Sequence, residues 1–234
     1  MELSKRLTAV AGLVTEGASV ADIGTDHGYI PIQLIEKNLS PKVIAMDINK
    51  GPLERARIHI AGYGMNDRIE TRLSDGLEAL APGEADEIIV AGMGGGLVIH
   101  ILEEGKEVVS RLKGCILQPQ SEIQKVREYL TTHGFCFEAE DMVEEDGKYY
   151  PMMRVVPLAN AHHAETAEVV TEVGIQKKVY KEWEYLYGPL LLKDRNPVLH
   201  EYLEREIRIR EDILRSLEKK TGDRIKERIL EIRH

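Results

Sequence analysis

The chain has 234 residues, 43% of them hydrophobic, with 31 Lys+Arg against 40 Asp+Glu and a formal net charge of −9. That length suits one sizeable core with an appendage, and the composition excludes intrinsic disorder and fibrous repeats. No stretch approaches the roughly 18 apolar residues of a membrane span, and the first turns lack the apolar core of a secretion signal, so a cytoplasmic address is expected.

Cys115 and Cys136 show neither a CxxC nor a paired-histidine spacing, so neither a disulfide framework nor a zinc site is expected, and both read as buried thiols. Residues 160–234 hold 15 basic and 15 acidic residues, which places the whole acidic excess before residue 160. Seventeen of the 20 glycines fall there too. A turn-rich domain over 1–159 followed by a neutral helical extension over 160–234 is the organisation this predicts. Net acidity disfavours nucleic acid only as an average over the surface and says little about one face of it.

Leu3, Leu7, Val10, Leu13 and Val14 form a helical stripe ended by Gly17. A buried strand is predicted over Ser19–Ile23, a helix over 29–38, a strand over Val43–Asp47, a helix over 50–61 with Pro52 in its first turn, and a strand over Ile69–Leu73. Ile88–Ala91 reads as a strand entering the glycine cluster 92–96, Leu97–Val109 as a helix, Cys115–Leu117 as a strand and Glu122–Leu130 as a helix. Strands over 135–143 and 149–156 flank Asp146-Gly147, a hairpin signal. Alternation of this kind predicts an α/β fold, a mostly parallel sheet covered on both faces with an antiparallel edge. Beyond Pro157, Val169, Val173, Gln176, Tyr180, Trp183 and Tyr187 keep a 4-3-4-3-4 spacing, which predicts a long helix. A further helix after Asn196-Pro197 would complete an antiparallel, coiled-coil-like helical hairpin.

In a doubly wound sheet, ligands bind beyond the carboxyl ends of the strands. The first such turn reads Asp22-Ile23-Gly24-Thr25-Asp26-His27-Gly28-Tyr29, where Gly24 and Gly28 allow a close backbone approach. Its G-x-x-x-G spacing disfavours a nicotinamide dehydrogenase. Asp47 stands 23 residues after Gly24, at the end of the second strand, where a carboxylate can accept both hydroxyls of a ribose. Asp75-Gly76 follows the third strand and suits a purine amine. Taken singly, each aspartate also reads as a helix cap or a solvated loop residue. Three at the ends of consecutive strands fit an adenosine-bearing ligand better.

The run DIGTDHGYIP, with Asp47, Asp75-Gly76, Ala91-Gly92-Met93-Gly94-Gly95, Leu117-Gln118-Pro119-Gln120 and Leu3-Ser4-Lys5-Arg6-Leu7, resembles the bacterial tRNA (adenine-22-N1)-methyltransferase family. The likeness covers essentially the whole chain, with specific motifs in residues 1–157. It implies a seven-stranded Rossmann-like domain, S-adenosylmethionine as methyl donor with S-adenosylhomocysteine as product, no metal, and tRNA as substrate. By the same resemblance Asp22, Gly24 and Gly28 would line the methionine end, Asp47 the ribose and Asp75 the adenine, with Thr25, Ile48, Gly76, Gly92 and Met93 completing the donor site. Asp26 stands where many methyltransferases carry glycine, and in this family that substitution is the expected form. Ala91–Gly95 offers no side-chain amide, so a substrate amine held there must use backbone carbonyls.

Methylation at adenine N1 leaves a cationic base, for which Asp26 is the candidate stabilising carboxylate. Tyr29 is the candidate stacking partner of that base and Gln118 the candidate reader of its edge. Lys5, Arg6, Lys177, Lys178 and Lys181 are the candidate phosphate contacts. The duller readings are a helix cap for Asp26, a backbone bond within the turn for the His27 side chain, core packing for Tyr29 and Met93, a strand end for Gln118-Pro119, and solvated helix faces for the lysines. His162-His163 reads as part of an exposed connection. Dimerisation is the main alternative use of the extension. Methylation of a small molecule or protein, or a donor-binding interaction protein, are the alternative functions.

Overall fold

The computed structural model describes residues 3–158, 169–171, 174–176 and 179–218. Helix α1 (Lys5–Gly12) is capped by the Ser4 hydroxyl, which accepts from the Leu7 amide at 3.3 Å. Strand β1 (Val20–Ile23), α2 (Tyr29–Glu36), β2 (Val43–Asp47), α3 (Lys50–Gly62) and β3 (Ile69–Leu73) follow in turn. Next come β4 (Glu87–Gly94), α4 (Gly95–Glu104), α5 (Lys106–Val109), β5 (Gly114–Ser121), α6 (Ile123–Thr132), β6 (Phe135–Glu145) and β7 (Lys148–Pro157). After these stand β8 (Val169–Thr171), β9 (Gly174–Gln176), α7 (Glu182–Tyr187), α8 (Pro189–Lys193) and α9 (Pro197–Glu218).

Seven strands form one sheet in the order β3-β2-β1-β4-β5-β7-β6, parallel except for β7, which runs antiparallel to both β5 and β6. Side chains alternate between its faces. Ala21, Ile23, Ile44, Met46, Ile88 and Val90 pack with Val98, Leu102, Val126 and Leu130 of α4 and α6. Val20, Val43, Ala45, Ile89 and Ile116 pack with Val10, Leu34, Ala56 and Ile60 of the first three helices. Covering both faces requires the unbroken apolar runs seen in β1 and β2, every residue of which is buried. The sheet's order reverses between β1 and β4, and the crevice beyond their carboxyl ends is where such folds bind ligands.

The hairpin predicted at Asp146-Gly147 is present, with φ of 52° and 75° at the two turn residues and Glu145 opposite Lys148. Cys115 and Cys136 are both buried, and burial pushes the Cys115 thiol up to about 12. Other boundaries move. The helix predicted over 97–109 breaks at Gly105, where a Cβ would lie 3.0 Å from the Ile101 carbonyl and collide with Leu77. The strand predicted to stop at Ala91 runs on to Gly94 with register shifts about Met93, leaving Gly92 outside the ladder with β5.

The largest correction concerns the first C-terminal helix. Val169–Thr171 pairs antiparallel with Gly174–Gln176, Val170 opposite Ile175, and among the described residues the next helix begins at Glu182. The β-branched run Val169-Val170-Thr171 with an interior glycine disfavours helix locally, whatever the 4-3 spacing suggests. Among the described residues, two short helices and one long one stand where a pair was expected. Leu199, Tyr202 and Leu203 of α9 pack on Met142 and Tyr149 of the β6–β7 hairpin. Lys177, Lys178 and His162-His163 lie outside the described residues.

A buried ion pair fastens this segment to the sheet. Arg127 on α6 is 1% and Glu140 on β6 0% exposed, with Arg127 Nε 2.9 Å from Glu140 Oε1. Arg127 Nη1 donates to the carbonyls of Tyr185 and Leu186 at 3.0 Å each, while Glu140 Oε2 accepts from the Leu190 amide at 2.8 Å. The pair thus satisfies carbonyls at the end of α7 and an amide at the start of α8. Gly188 between them has no room for a Cβ, which would lie 2.8 Å from both side chains.

Candidate active site

The turn after β1 is tied to its neighbour by the Gly24 and Thr25 amides, which donate to the Met46 carbonyl at 2.8 and 2.9 Å. Gly24 has φ of 80°, and a Cβ there would strike the Met93 side chain, so the absent side chain admits Met93 from the β4 bulge. Gly28, at φ 70°, starts α2. Asp26 does not cap that helix. It is 59% exposed, and its Oδ1 lies 2.6 Å from Arg55 Nη2 of α3, an exposed pair worth at most about 1 kcal/mol.

Asp22 is 4% exposed, and burial pushes its carboxyl up to about 6, with the Thr25 hydroxyl opposing the shift and Asp47 adding to it. No basic side chain among the described residues pairs with it. A cationic ligand group would supply that partner. At the end of β2, Asp47 Oδ1 accepts from the Asn49 amide at 2.7 Å, and the second oxygen carries no bond among the described residues. Ile48 beside it leaves 56% of its surface exposed, an apolar seat for a ring. At the end of β3, Asp75 is exposed, and Gly76 has φ of 49° with Ile101 3.3 Å from any added Cβ.

A cleft of about 340 Å³ opens above β1 and β4, lined by Arg6, Asp22, Gly24, Thr25, Asp26, His27, Tyr29, Gly92 and Gln120 among others. The strand ends thus bring Asp22, Gly24, Thr25, Asp26, Tyr29 and Gly92 together at one opening. A larger cavity of about 740 Å³, between residues 75–82 and α4, shares none of these and meets the expected donor residues only at Asp75 and Gly76.

Two expectations are corrected here. Gln118 is fully buried and does not line the cleft: its Oε1 accepts from Arg6 Nη1 at 2.8 Å and its amide donates to the Pro119 carbonyl at 3.3 Å. Gln120, exposed and nearer the carboxyl end of β5, lines the cleft in its place. Position along the strand was the available signal, since ligands bind beyond strand ends. The backbone bond expected of the His27 side chain is also missing among the described residues, where its buried Nδ1 has no partner.

Arg6, placed among phosphate contacts by sequence, stands in the cleft wall between Gln118 and the Tyr150 ring, whose centroid is 5.5 Å from its guanidinium carbon. Lys5 is exposed on α1. Lys181 immediately precedes α7 with its Nζ 4.9 Å from the Trp183 ring centroid, so it does not lie on the long helix expected there.

A 3-2-1-4-5-7-6 sheet, a glycine turn after β1, an unpaired buried carboxylate and acidic groups at three successive strand ends fit S-adenosylmethionine and define a Rossmann-like methyltransferase. Residues 3–153 match the methyltransferase domain family, and the tRNA (adenine(22)-N(1))-methyltransferase of Bacillus subtilis is 37% identical over 198 residues, 85% of this chain and 78% of that protein. The chain belongs to the tRNA (adenine-22-N1)-methyltransferase family. Among solved structures, a Streptococcus pneumoniae putative tRNA (m1A22) methyltransferase in complex with S-adenosyl-L-methionine is 30% identical, with a TM-score of 0.78 over 99% of this chain and 98% of that one. A Mycoplasma capricolum relative in complex with S-adenosyl-homocysteine is 26% identical, with a TM-score of 0.73 over 100% and 97%.

Proposed function

We propose that the protein transfers a methyl group from S-adenosylmethionine to N1 of the adenine at position 22 of tRNA, in the cytoplasm. The observation that carries this reading is the continuity of the cleft. The desolvated carboxylate of Asp22 and an aromatic, amide and acidic set, Tyr29, Gln120 and Asp26, line the same cleft.

Asp22, Gly24, Thr25 and Gly28 would hold the methionine part of the donor, Asp47 the ribose hydroxyls, and Ile48, Asp75 and Gly76 the adenine, with Met93 packed over Gly24. The donor supplies an electrophilic methyl. Adenine N1 carries a lone pair at neutral pH, so no general base is needed and alignment is the main task. Alignment is worth about 7–11 kcal/mol in favourable cases. Gly92 stands outside the β4–β5 ladder, which frees backbone carbonyls of this turn to receive the exocyclic amine. The target base must leave its stack to expose N1, and Tyr29 offers a ring against which it can settle.

Asp26 faces the charge that develops on the methylated base. Its exposed bond to Arg55 is weak enough to exchange for that cation. Asp26→Ala is expected to lower kcat on the order of 10- to 100-fold with the donor's Kd unchanged. Single-turnover rates with donor-saturated enzyme measure this, and a rate within about threefold of the parent would remove Asp26 from catalysis. Residues 160–234 are read as a tRNA-contacting extension, with Lys181 and Lys5 as phosphate contacts.

The test of the function itself is transfer of labelled methyl to unmodified tRNA transcripts, compared with transcripts in which adenine 22 is replaced by guanine. Label in the first and none in the second is expected. Equal labelling would overturn the position, and labelling of neither would overturn the substrate.

A further inference from the structure

Three rings meet at the rim of the cleft. His27 and Tyr29 have centroids 5.1 Å apart and planes 9° apart. His59 of α3 stands 5.5 Å from His27 and 5.6 Å from Tyr29, inclined 28° to each. These separations are those of offset stacking. His59 Nδ1 lies 3.1 Å from the His27 carbonyl, which anchors the outer ring to the turn. The His27 ring is positioned by its neighbours, since its Nδ1 has no hydrogen-bond partner among the described residues and Asp26 lies 3.6 Å from its Nε2.

All three side chains are half-buried. His27 and Tyr29 line the cleft whereas His59 does not, so the ring surface runs from the reaction chamber out onto α3. Such a surface is wider than one base requires. Beside it, Arg55 of the same helix has 48% of its side chain exposed and sits 2.6 Å from Asp26.

We infer that His27, Tyr29 and His59 form a stacking platform for two successive unpaired nucleobases of an RNA strand, the target on Tyr29 and its neighbour on His59, with Arg55 facing the phosphate between them. This rests on the RNA-substrate reading above. Aromatic faces accept any base, so the platform contributes affinity and leaves base identity to the cleft.

His59→Ala and His59→Phe test it, because His59 lines neither the donor site nor the cleft. His59→Ala is expected to raise the KM for tRNA about tenfold, the loss typical of one base–aromatic stack, with kcat and the Kd for S-adenosylmethionine unchanged. His59→Phe, which keeps the ring and loses the nitrogen, should stay within about twofold of the parent. A second measurement needs no methyl transfer: a short single-stranded RNA carrying 2-aminopurine should lose fluorescence on binding the parent, and His59→Ala should shift that loss to about tenfold higher protein concentration. If His59→Phe is as impaired as His59→Ala, the ring acts only through its bond to the turn and the platform is wrong. If tRNA is methylated and His59→Ala changes neither KM nor quenching, the platform is wrong and the enzymatic reading stands. If the parent quenches the probe in a His59-dependent way but methylates no tRNA, the platform stands and the enzymatic reading falls.

Discussion

Asp22→Asn is expected to stabilise the ligand-free protein by up to about 3 kcal/mol at pH 7 to 8 while weakening S-adenosylmethionine binding about 10- to 100-fold. Burial holds the Asp22 carboxyl at about 6 against an ordinary value of 3.8, so the folded chain binds this proton more tightly than the unfolded chain does. Stability from this group is therefore greatest below about pH 4, falls as pH rises towards 6, and stays low above it. An asparagine, with no charge to desolvate, avoids that loss. The gain over the parent should be small at pH 4, grow between 4 and 6, and be complete by pH 7. Urea unfolding at pH 4.5 and pH 8 measures it. A variant no more stable than the parent at pH 8 would show that burial does not penalise this carboxylate. Loss of donor affinity alongside a gain in stability is the pattern of a site built for a ligand and costly without it.

The second large effect is expected at the far edge of the sheet. Arg127→Met should lower stability by about 3–5 kcal/mol, because it leaves Glu140 buried opposite an apolar chain and strips a donor from the Tyr185 and Leu186 carbonyls. Burial pushes the Glu140 carboxyl up and the Arg127 guanidinium down, so for both groups desolvation outweighs mutual attraction. Arg127→Met combined with Glu140→Leu should recover the part of the loss that comes from the unpaired carboxylate, while the Tyr185 and Leu186 carbonyls and the Leu190 amide stay without these partners. Denaturant midpoints of parent, single and double variants check this directly. A single variant within about 1 kcal/mol of the parent would show that the pair does not hold α7 and α8 to the sheet.

Much of the strand-end geometry was legible in the sequence, because each feature there depends on a short segment. Asp22, Gly24 and Gly28 share one strand-to-helix turn, Asp47 ends a run of apolar residues, and Asp146-Gly147 carries its own turn chemistry. The opposite wall of the cleft was less legible because it is assembled from distant segments. Arg6 of α1 meets Gln118 of β5, a separation of 112 positions that no local pattern reveals. That bond is what removes Gln118 from the cleft and leaves Gln120 there. His59 reads locally as one face of an ordinary helix, and only the fold sets it against His27 and Tyr29. The 169–187 segment misled for another reason. Helical spacing of apolar residues and a β-branched run point to different structures over the same positions, and pairing of Val170 with Ile175 decides between them.

The acidic balance is consistent with this arrangement. All of the excess precedes residue 160, where Asp22, Asp47 and Asp75 stand at strand ends and Asp26 lines the cleft.

The most direct measurement is nucleoside mass spectrometry of unmodified tRNA incubated with the purified protein and S-adenosylmethionine. The structure predicts 1-methyladenosine, mapped by fragment masses to position 22 and absent when the donor is withheld. Methylation confined to another nucleoside, or none across a full set of transcripts, would contradict it.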